Sequence, residues 1–265
     1  MELSKRLQAV ADLLDCHEAI ADIGCDHGFV SIYLIESKKA KRCLAMDVNI
    51  GPLERAKEHV IEKRLSTYIE TRLSDGAKEI RFVTDQQGIK RPEVQAALIA
   101  GMGGKLMIRI IQDSLNTFRG MEEFVLQPQS ELARVRQFLK EIGCYIYKEE
   151  MVWEDGKYYP IMKVNWKPIE PDWSTDIPEN IKQRLSTAEE KKEVLQKLYD
   201  EYGEHLLKGK HPVLLQYLKK EKELYQTILE NLEQTETSKS ERRQIEIKEK
   251  MIYINLGLEW FGDEV

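Results

Sequence analysis

The sequence predicts an α/β chain: a mostly parallel sheet covered by helices on both faces and ending in an antiparallel hairpin, followed by an all-helical region. Three observations carry this reading. Short β-branched or apolar runs alternate with helical patterns as far as Gly143. Two alternating strands then flank Asp155 and Gly156, a dipeptide that favours a tight hairpin turn. Beyond a polar stretch holding Pro168, Pro171 and Pro178, apolar residues recur only at helical spacing.

Taken in order, HEAIADIG is the first strand and VSIYLIES the helix after it; KRCLAMDV is the second strand, followed by the helix GPLERAKEHVIEKR. A third strand leads into TRLSDG. VQAALIAGM and EEFVLQ are the fourth and fifth strands, followed by the helices GKLMIRIIQDSL and SELARVRQFLKEIG. The hairpin CYIYKEEMVWEDGKYYPIMKVNW ends the sheet. The composition shift at the prolines divides the chain into residues 1–167 and 168–265. In the second part, one helix carries Val194, Leu195, Leu198 and Tyr202, and a second carries Leu214, Leu218, Tyr225, Ile228, Leu229 and Leu232, with Pro212 in its first turn. Ser238 and Glu241 make a capping box for a third helix, expected to end near Gly257. Long helices with apolar stripes and charged outer faces suggest a helical hairpin or coiled coil.

Composition narrows the functional classes. Of 265 residues, 42% are apolar and 32% charged, ordinary for a folded soluble protein. No apolar run approaches the roughly 18 residues that span a bilayer, and the start, MELSKRLQAVADLL, is charged and amphipathic without a signal-peptide core. The chain reads as cytoplasmic, with no membrane partner. Cys16, Cys25, Cys43 and Cys144 form no CxxC pair and have no histidine at zinc-ligand spacing, so neither a metal nor a disulfide framework is expected. The net charge is −6, but 21 acidic and 15 basic residues lie from Glu170 onward, while residues 1–169 balance at 25 of each. The N-terminal part is therefore not hostile to a polyanion.

The most informative stretch is EAIADIGCDHGFVSIYLI, a strand running into Asp22, Gly24 and Gly28 and then a helix. Dinucleotide enzymes place GxGxxG at this turn to let a pyrophosphate approach the backbone. The looser acidic-x-Gly-x-x-x-Gly turn is typical of Rossmann-like methyltransferases, whose cofactor has no phosphate there. Asp47 ends the next strand, where an acidic side chain grips ribose hydroxyls. Asp75 follows the third strand, where it either accepts a hydrogen bond from an adenine amino group or simply makes an Asp-Gly turn. Gly101, Gly103 and Gly104 open the helix after the fourth strand, through close approach of a ligand or a tight connection. Gln127 and Gln129 flank Pro128 after the fifth, where amides can read a base edge and Ser130 can cap a helix.

With LSKRL, DIGCDHG, MDVNIGPL, RLSDG, IAGMGG, LQPQ and EDGKYYPIM in this order, followed by the helical tail, the chain resembles the bacterial tRNA adenine-22 N1-methyltransferase family. The resemblance implies a class I methyltransferase domain using S-adenosyl-L-methionine, a C-terminal coiled-coil-like domain, and methylation of N1 of adenine 22 in tRNA. Carried over by residue, it puts Asp22, Gly24, Cys25, Asp26, His27 and Gly28 in the cofactor loop, Asp47 and Val48 at the ribose, and Asp75 and Gly76 at the adenine. Gly101, Met102, Gly103, Gly104 and Gln127 would face the transferable methyl and the target base. Asp26 is a candidate to stabilise charge on the product ring and His27 a candidate base, although loop capping and structural hydrogen bonding are the competing roles. Many adenine methyltransferases carry a proline-rich tetrapeptide ending in an aromatic where this chain has AGMG, so a stacking aromatic must come from elsewhere; Tyr158 and Tyr159 are candidates, or core.

The ring nitrogen N1 carries a free lone pair and can attack a sulfonium methyl directly, so positioning dominates the chemistry. The base must first leave its stack. Phosphate contacts are expected from Lys5 and Arg6, from Lys208, Lys210 and His211, and from Lys38, Lys39, Lys41, Arg42, Arg134 and Arg136, each of which is otherwise a solvated surface charge. Two other readings stay open: a methyltransferase of a small molecule or protein, and a non-catalytic adaptor that binds the cofactor.

Overall fold

The computed structural model describes residues 3–84, 86–168, 178–179, 181, 187–233 and 238–262. The chain falls into two compact units, Met1–Ile169 and Glu170–Val265. The linker expected at Pro168, Pro171 and Pro178 lies mostly outside the described residues.

In the first unit the chain runs α1 (Lys5–Leu13), β1 (His17–Ile23), α2 (Phe29–Glu36), β2 (Ala40–Asp47), α3 (Ile50–Glu62) and β3 (Ile69–Leu73). There follow β4 (Phe82–Thr84), β5 (Lys90–Pro92), β6 (Ala96–Met102), α4 (Gly104–Asp113), α5 (Leu115–Arg119), β7 (Glu123–Pro128), α6 (Leu132–Glu141), β8 (Tyr145–Glu154) and β9 (Lys157–Asn165). Seven strands form one sheet in the order β3-β2-β1-β6-β7-β9-β8. Neighbours from β3 to β7 are parallel, whereas β9 is antiparallel to both β7 and β8. The expected hairpin is thus present, with its second strand inserted beside β7.

Alternation along the central strands sends side chains to two cores. Ala21, Ile23, Leu44, Met46, Ala97, Ile99, Phe124 and Leu126 pack with Met107, Ile111, Phe118 and Phe138 from α4, α5 and α6. The intervening Ile20, Cys43, Ala45, Leu98 and Val125 pack with Val10, Val30, Ile32, Leu53 and Ala56 from α1, α2 and α3. Helix α1 is capped by Ser4, whose hydroxyl accepts the Leu7 N–H at 3.3 Å. The β8–β9 turn holds Asp155 and Gly156 at φ 48° and 78°, the left-handed pair a two-residue hairpin needs. The small β4–β5 ribbon was not anticipated: its three-residue strands lie in a polar stretch too short for alternation to register.

At the amino end of β7 lies a buried ionic group. The Glu123 carboxylate receives Lys163 Nζ at 2.9 Å, the Tyr147 hydroxyl at 2.5 Å, and the Asp15 N–H at 2.7 Å, with His17 Nε2 at 3.2 Å. Burial alone would raise its pKa, but these partners outweigh it and hold the carboxyl down to about 2.

The regular elements among the described residues of the second unit are all helices: α7 (Ala188–Tyr202), α8 (Glu204–Lys208), α9 (Pro212–Glu233) and α10 (Ser238–Phe261). Thr187 caps α7, accepting the Glu190 N–H at 3.0 Å. Pro212 opens α9 as expected. Helix α10 does not end near Gly257 but continues to Phe261. A Cβ at Gly257 would lie 3.1 Å from both methyls of Leu218, so this glycine permits close packing of α10 on α9 and does not terminate a helix. The Ser238 side chain of the expected capping box lies outside the described residues.

Candidate active site

Strand order reverses between β1 and β6, which opens a crevice at the carboxyl ends of the strands, where ligands bind in open α/β sheets. A cleft of about 560 Å³ is lined there by Asp22, Gly24, Cys25, Asp26, His27, Asp47, Val48, Asp75, Gly76, Gly101 and Met102. The structure therefore brings together residues from four strand ends that the sequence had singled out. Gly28, Gly103, Gly104 and Gln127 are not among its lining residues.

The loop after β1 is tied to β2: Gly24 and Cys25 both donate N–H to the Met46 carbonyl, at 2.8 and 2.9 Å. Gly24 has φ +81°, and a Cβ there would lie 2.1 Å from Met102 Cε. Neither the backbone nor the space admits another side chain unless Met102 moves. Asp22 is buried and accepts the Ser31 hydroxyl at 2.7 Å; burial pushes its pKa up to about 6 against that hydrogen bond. Asp47 is oriented by backbone donors, with Asn49 N–H at 2.8 Å on Oδ1 and Asp26 N–H at 3.4 Å on Oδ2. Its remaining lone pairs suit a vicinal diol. The Asp26 carboxylate faces Arg55 at 3.9 Å and His27 at 3.7 Å. His27 stacks on Phe29, ring centroids 5.3 Å apart, and Phe29 on His59 at 4.9 Å. Gly28 starts α2 and packs against Ala56.

Asp75 follows β3 and is held by Lys78 at 2.5 Å and Arg109 at 3.2 Å. The Lys78 hydrogen bond, helped by both positive charges, keeps its carboxyl below the usual range. Val48 and Leu106, 58% and 40% exposed, give the cleft apolar walls suited to the faces of a flat ring.

At the other end of the cleft, β6 carries a bulge at Gly101, which has φ +78°. Its N–H donates to Gln127 Oε1 at 3.1 Å, and Arg6 Nη1 donates to the same oxygen at 2.9 Å. The Gln127 amide nitrogen donates to the Pro128 carbonyl at 3.2 Å. Gln127 is fully buried and both ends of its amide are engaged, so it braces the Gly101 bulge and does not face a ligand as expected. Gln129, two residues on, lines the cleft instead. Gly103 caps α4, and a Cβ at Gly104 would lie 2.5 Å from the Ser130 carbonyl, so these two serve packing of α4.

The candidate phosphate ligands separate. Arg6 lines the cleft with its guanidinium over the Tyr159 ring at 5.2 Å. Lys5 lies outside the lining; its backbone N–H is held by Glu154 at 2.6 Å. Arg136 is buried against Glu149 at 3.0 Å, which removes it from any RNA-facing role. Lys39 caps the end of α1 through the Asp12 and Leu14 carbonyls, Lys41 pairs with Glu18, and Arg134 pairs with Glu141. Lys208 and Lys210 belong to the second unit, Lys208 lying 3.0 Å from Glu204. Tyr158 packs on Trp153 with centroids 4.4 Å apart. Sequence reasoning missed Phe29, Leu106 and Arg109. Phe29 directly follows Gly28, and the other two lie in the amphipathic helix after the glycines, which was the available signal.

Four carboxylates, Asp22, Asp26, Asp47 and Asp75, share this cleft with two guanidiniums, Arg6 and Arg109. That donor set opposes a pyrophosphate and fits a nucleoside carrying a cationic sulfonium. Among the described residues no group of three or more His, Cys, Asp or Glu could hold a metal ion, and no helix is long and apolar enough to cross a membrane.

A doubly wound sheet with an antiparallel strand beside β7, and an acidic turn running from Asp22 through Gly24 to Gly28 at the end of β1, defines a Rossmann-like methyltransferase domain. The methyltransferase-domain family matches residues 3–162, and the chain belongs to that family. It is 33% identical over 162 residues to the curated tRNA (adenine(22)-N(1))-methyltransferase of Bacillus subtilis, a match covering 61% of this chain and 64% of the relative's length. The crystal structure of a Bacillus subtilis tRNA methyltransferase superposes with a TM-score of 0.74 at 26% identity, covering 97% of this chain and 99% of the other. A Streptococcus pneumoniae protein in complex with S-adenosyl-L-methionine matches with the same TM-score and identity, over 97% and 100% of the two chains.

Proposed function

We propose that this protein is an S-adenosyl-L-methionine-dependent tRNA methyltransferase that places a methyl group on N1 of adenine 22, working in the cytoplasm. The observation that carries the reading is the convergence of Asp22, Asp47, Asp75 and the Gly101 bulge on one cleft, together with relatives carrying that activity by name. Residues 1–167 form the catalytic domain and residues 168–265 a helical domain that orients the RNA.

S-adenosyl-L-methionine supplies an electrophilic methyl group when bound. Asp47 would hold the two ribose hydroxyls, Asp75, Gly76, Val48 and Leu106 would hold the adenine, and Asp22 with the Gly24–Cys25 turn would hold the methionyl end. Gly101 and Met102 stand where the target base enters. Because adenine N1 attacks through a neutral lone pair, the protein's task is alignment and exclusion of water. The Asp26 carboxylate, exposed beside Arg55 and His27, stabilises the positive charge that develops on the methylated ring. Arg6 contacts a phosphate of the turned-out nucleotide, and Lys5, Lys208 and Lys210 contact the RNA further away.

The test is transfer of radiolabel from methyl-labelled cofactor to unmodified tRNA. Incorporation into tRNA and not into bulk protein or small metabolites supports the reading; labelling of another acceptor only, or none, overturns it.

A further inference from the structure

We propose that Gln129 reads the adenine itself, accepting from the 6-amino group and donating to N7, so that the methyltransferase selects adenine over guanine at the edge of the base adjoining the one that reacts. The inference rests on the proposed tRNA-methylating function and names the residue that sets its base specificity.

The two glutamines flanking Pro128 are placed differently. Gln127 is spent: buried, with its oxygen shared by Arg6 and Gly101 and its nitrogen on the Pro128 carbonyl. That arrangement fixes the Gly101 bulge and the Arg6 guanidinium relative to each other. Gln129 extends the β7 backbone by donating its N–H to Met102 O at 2.8 Å, which anchors its main chain beside β6. Its side chain is exposed, lines the cleft, and makes no hydrogen bond among the described residues. The Gln129 amide nitrogen lies 3.8 Å, and Arg6 Nη1 3.6 Å, from the position a Cβ would take on Gly101. An open amide, a guanidinium with no carboxylate partner among the described residues and a bare glycine therefore converge at the mouth of the cleft. Any side chain at Gly101 would fill the space between them.

The chemistry of adenine matches this arrangement. With N1 aimed at the methyl group, the 6-amino group and N7 remain on an adjoining edge as one donor and one acceptor. A glutamine amide pairs with both at once, and guanine, with a carbonyl at position 6, presents two acceptors there. A buried or methyl-facing glutamine could not do this, since its amide must be both open and rigidly based.

The experiment uses the full-length protein and synthetic tRNA carrying adenine, 7-deazaadenine or guanine at position 22, measuring kcat/KM for methyl transfer and the affinity for S-adenosylhomocysteine. The wild type should lose roughly fivefold on 7-deazaadenine, which removes one of the two hydrogen bonds. Gln129→Ala, which removes both, should lose roughly tenfold on adenine, show no further loss on 7-deazaadenine, and keep wild-type affinity for S-adenosylhomocysteine. Gln129→Glu, which cannot donate to N7, should behave like the alanine variant. Full sensitivity to 7-deazaadenine in Gln129→Ala overturns the assignment while leaving the enzyme's function standing. Failure of the wild type to methylate any of the tRNAs overturns the function on which it rests.

Discussion

Replacing Asp47 by alanine removes the one carboxylate that ends β2 in the cleft. In the native loop its oxygens are pre-oriented by the N–H groups of Asn49 at 2.8 Å and Asp26 at 3.4 Å, so little ordering is left to be done when a ribose binds. Each hydrogen bond from a hydroxyl to a charged acceptor contributes about 1.5–3 kcal/mol when desolvated. Asp47 is half-buried, which places the pair of ribose hydroxyls near the lower end, at about 2–3 kcal/mol together. The expected loss in affinity for S-adenosylhomocysteine is roughly 30- to 150-fold, with Asp47→Asn retaining geometry and losing about tenfold. Isothermal titration calorimetry reads this directly, and a thermal melt of each variant confirms that the fold persists, since the two freed N–H groups sit near solvent. Unchanged affinity in a folded Asp47→Ala protein would refute the assignment of this strand end to the ribose.

Three further outcomes follow from the structure. Glu123 has a pKa lowered from 4.5 to about 2, so its contribution is fully present above about pH 4.5 and is lost as pH falls towards 2; acid titration of Glu123→Gln should show a midpoint shifted upward and roughly 3 kcal/mol less stability at neutral pH. Gly257→Val should destabilise the protein by about 1–3 kcal/mol, because Leu218 already stands 3.1 Å from where a Cβ would be; a melting temperature at or above that of the wild type would show that α9 and α10 do not need this approach. Charge reversal of Lys208 and Lys210 to Glu should weaken tRNA binding and reduce its salt slope by about 2 while leaving S-adenosylhomocysteine binding alone; identical slopes would remove the second unit from the RNA interface.

The fold was legible because its central strands, buried on both faces, are short continuous apolar runs that alternate with segments of helical periodicity. Glycines and aspartates at strand ends marked the cleft: Gly24 and Gly101 take a positive φ that other residues adopt only with strain, and the carboxylates Asp22, Asp47 and Asp75 stand at three successive strand ends where ligands bind in open α/β sheets. What sequence alone did not separate was Gln127 from Gln129. Both are amides beside one proline, and only the burial of β7 and the position of Arg6, from a helix more than a hundred residues away, decide which is consumed. Gly257 misled for a related reason, since a glycine can end a helix or let two helices touch, and the choice lies in the partner Leu218. Arg136 looked like a surface charge until its buried partner Glu149, on a different element, was visible.

The most direct test of the central claim is nuclease digestion and mass spectrometry of unmodified tRNA after incubation with the protein and S-adenosyl-L-methionine. One methyl group on N1 of adenine 22, with none added when that position is guanine, is the predicted result. A methyl group on any other position, or an unmethylated adenine 22 after complete cofactor exposure, contradicts it.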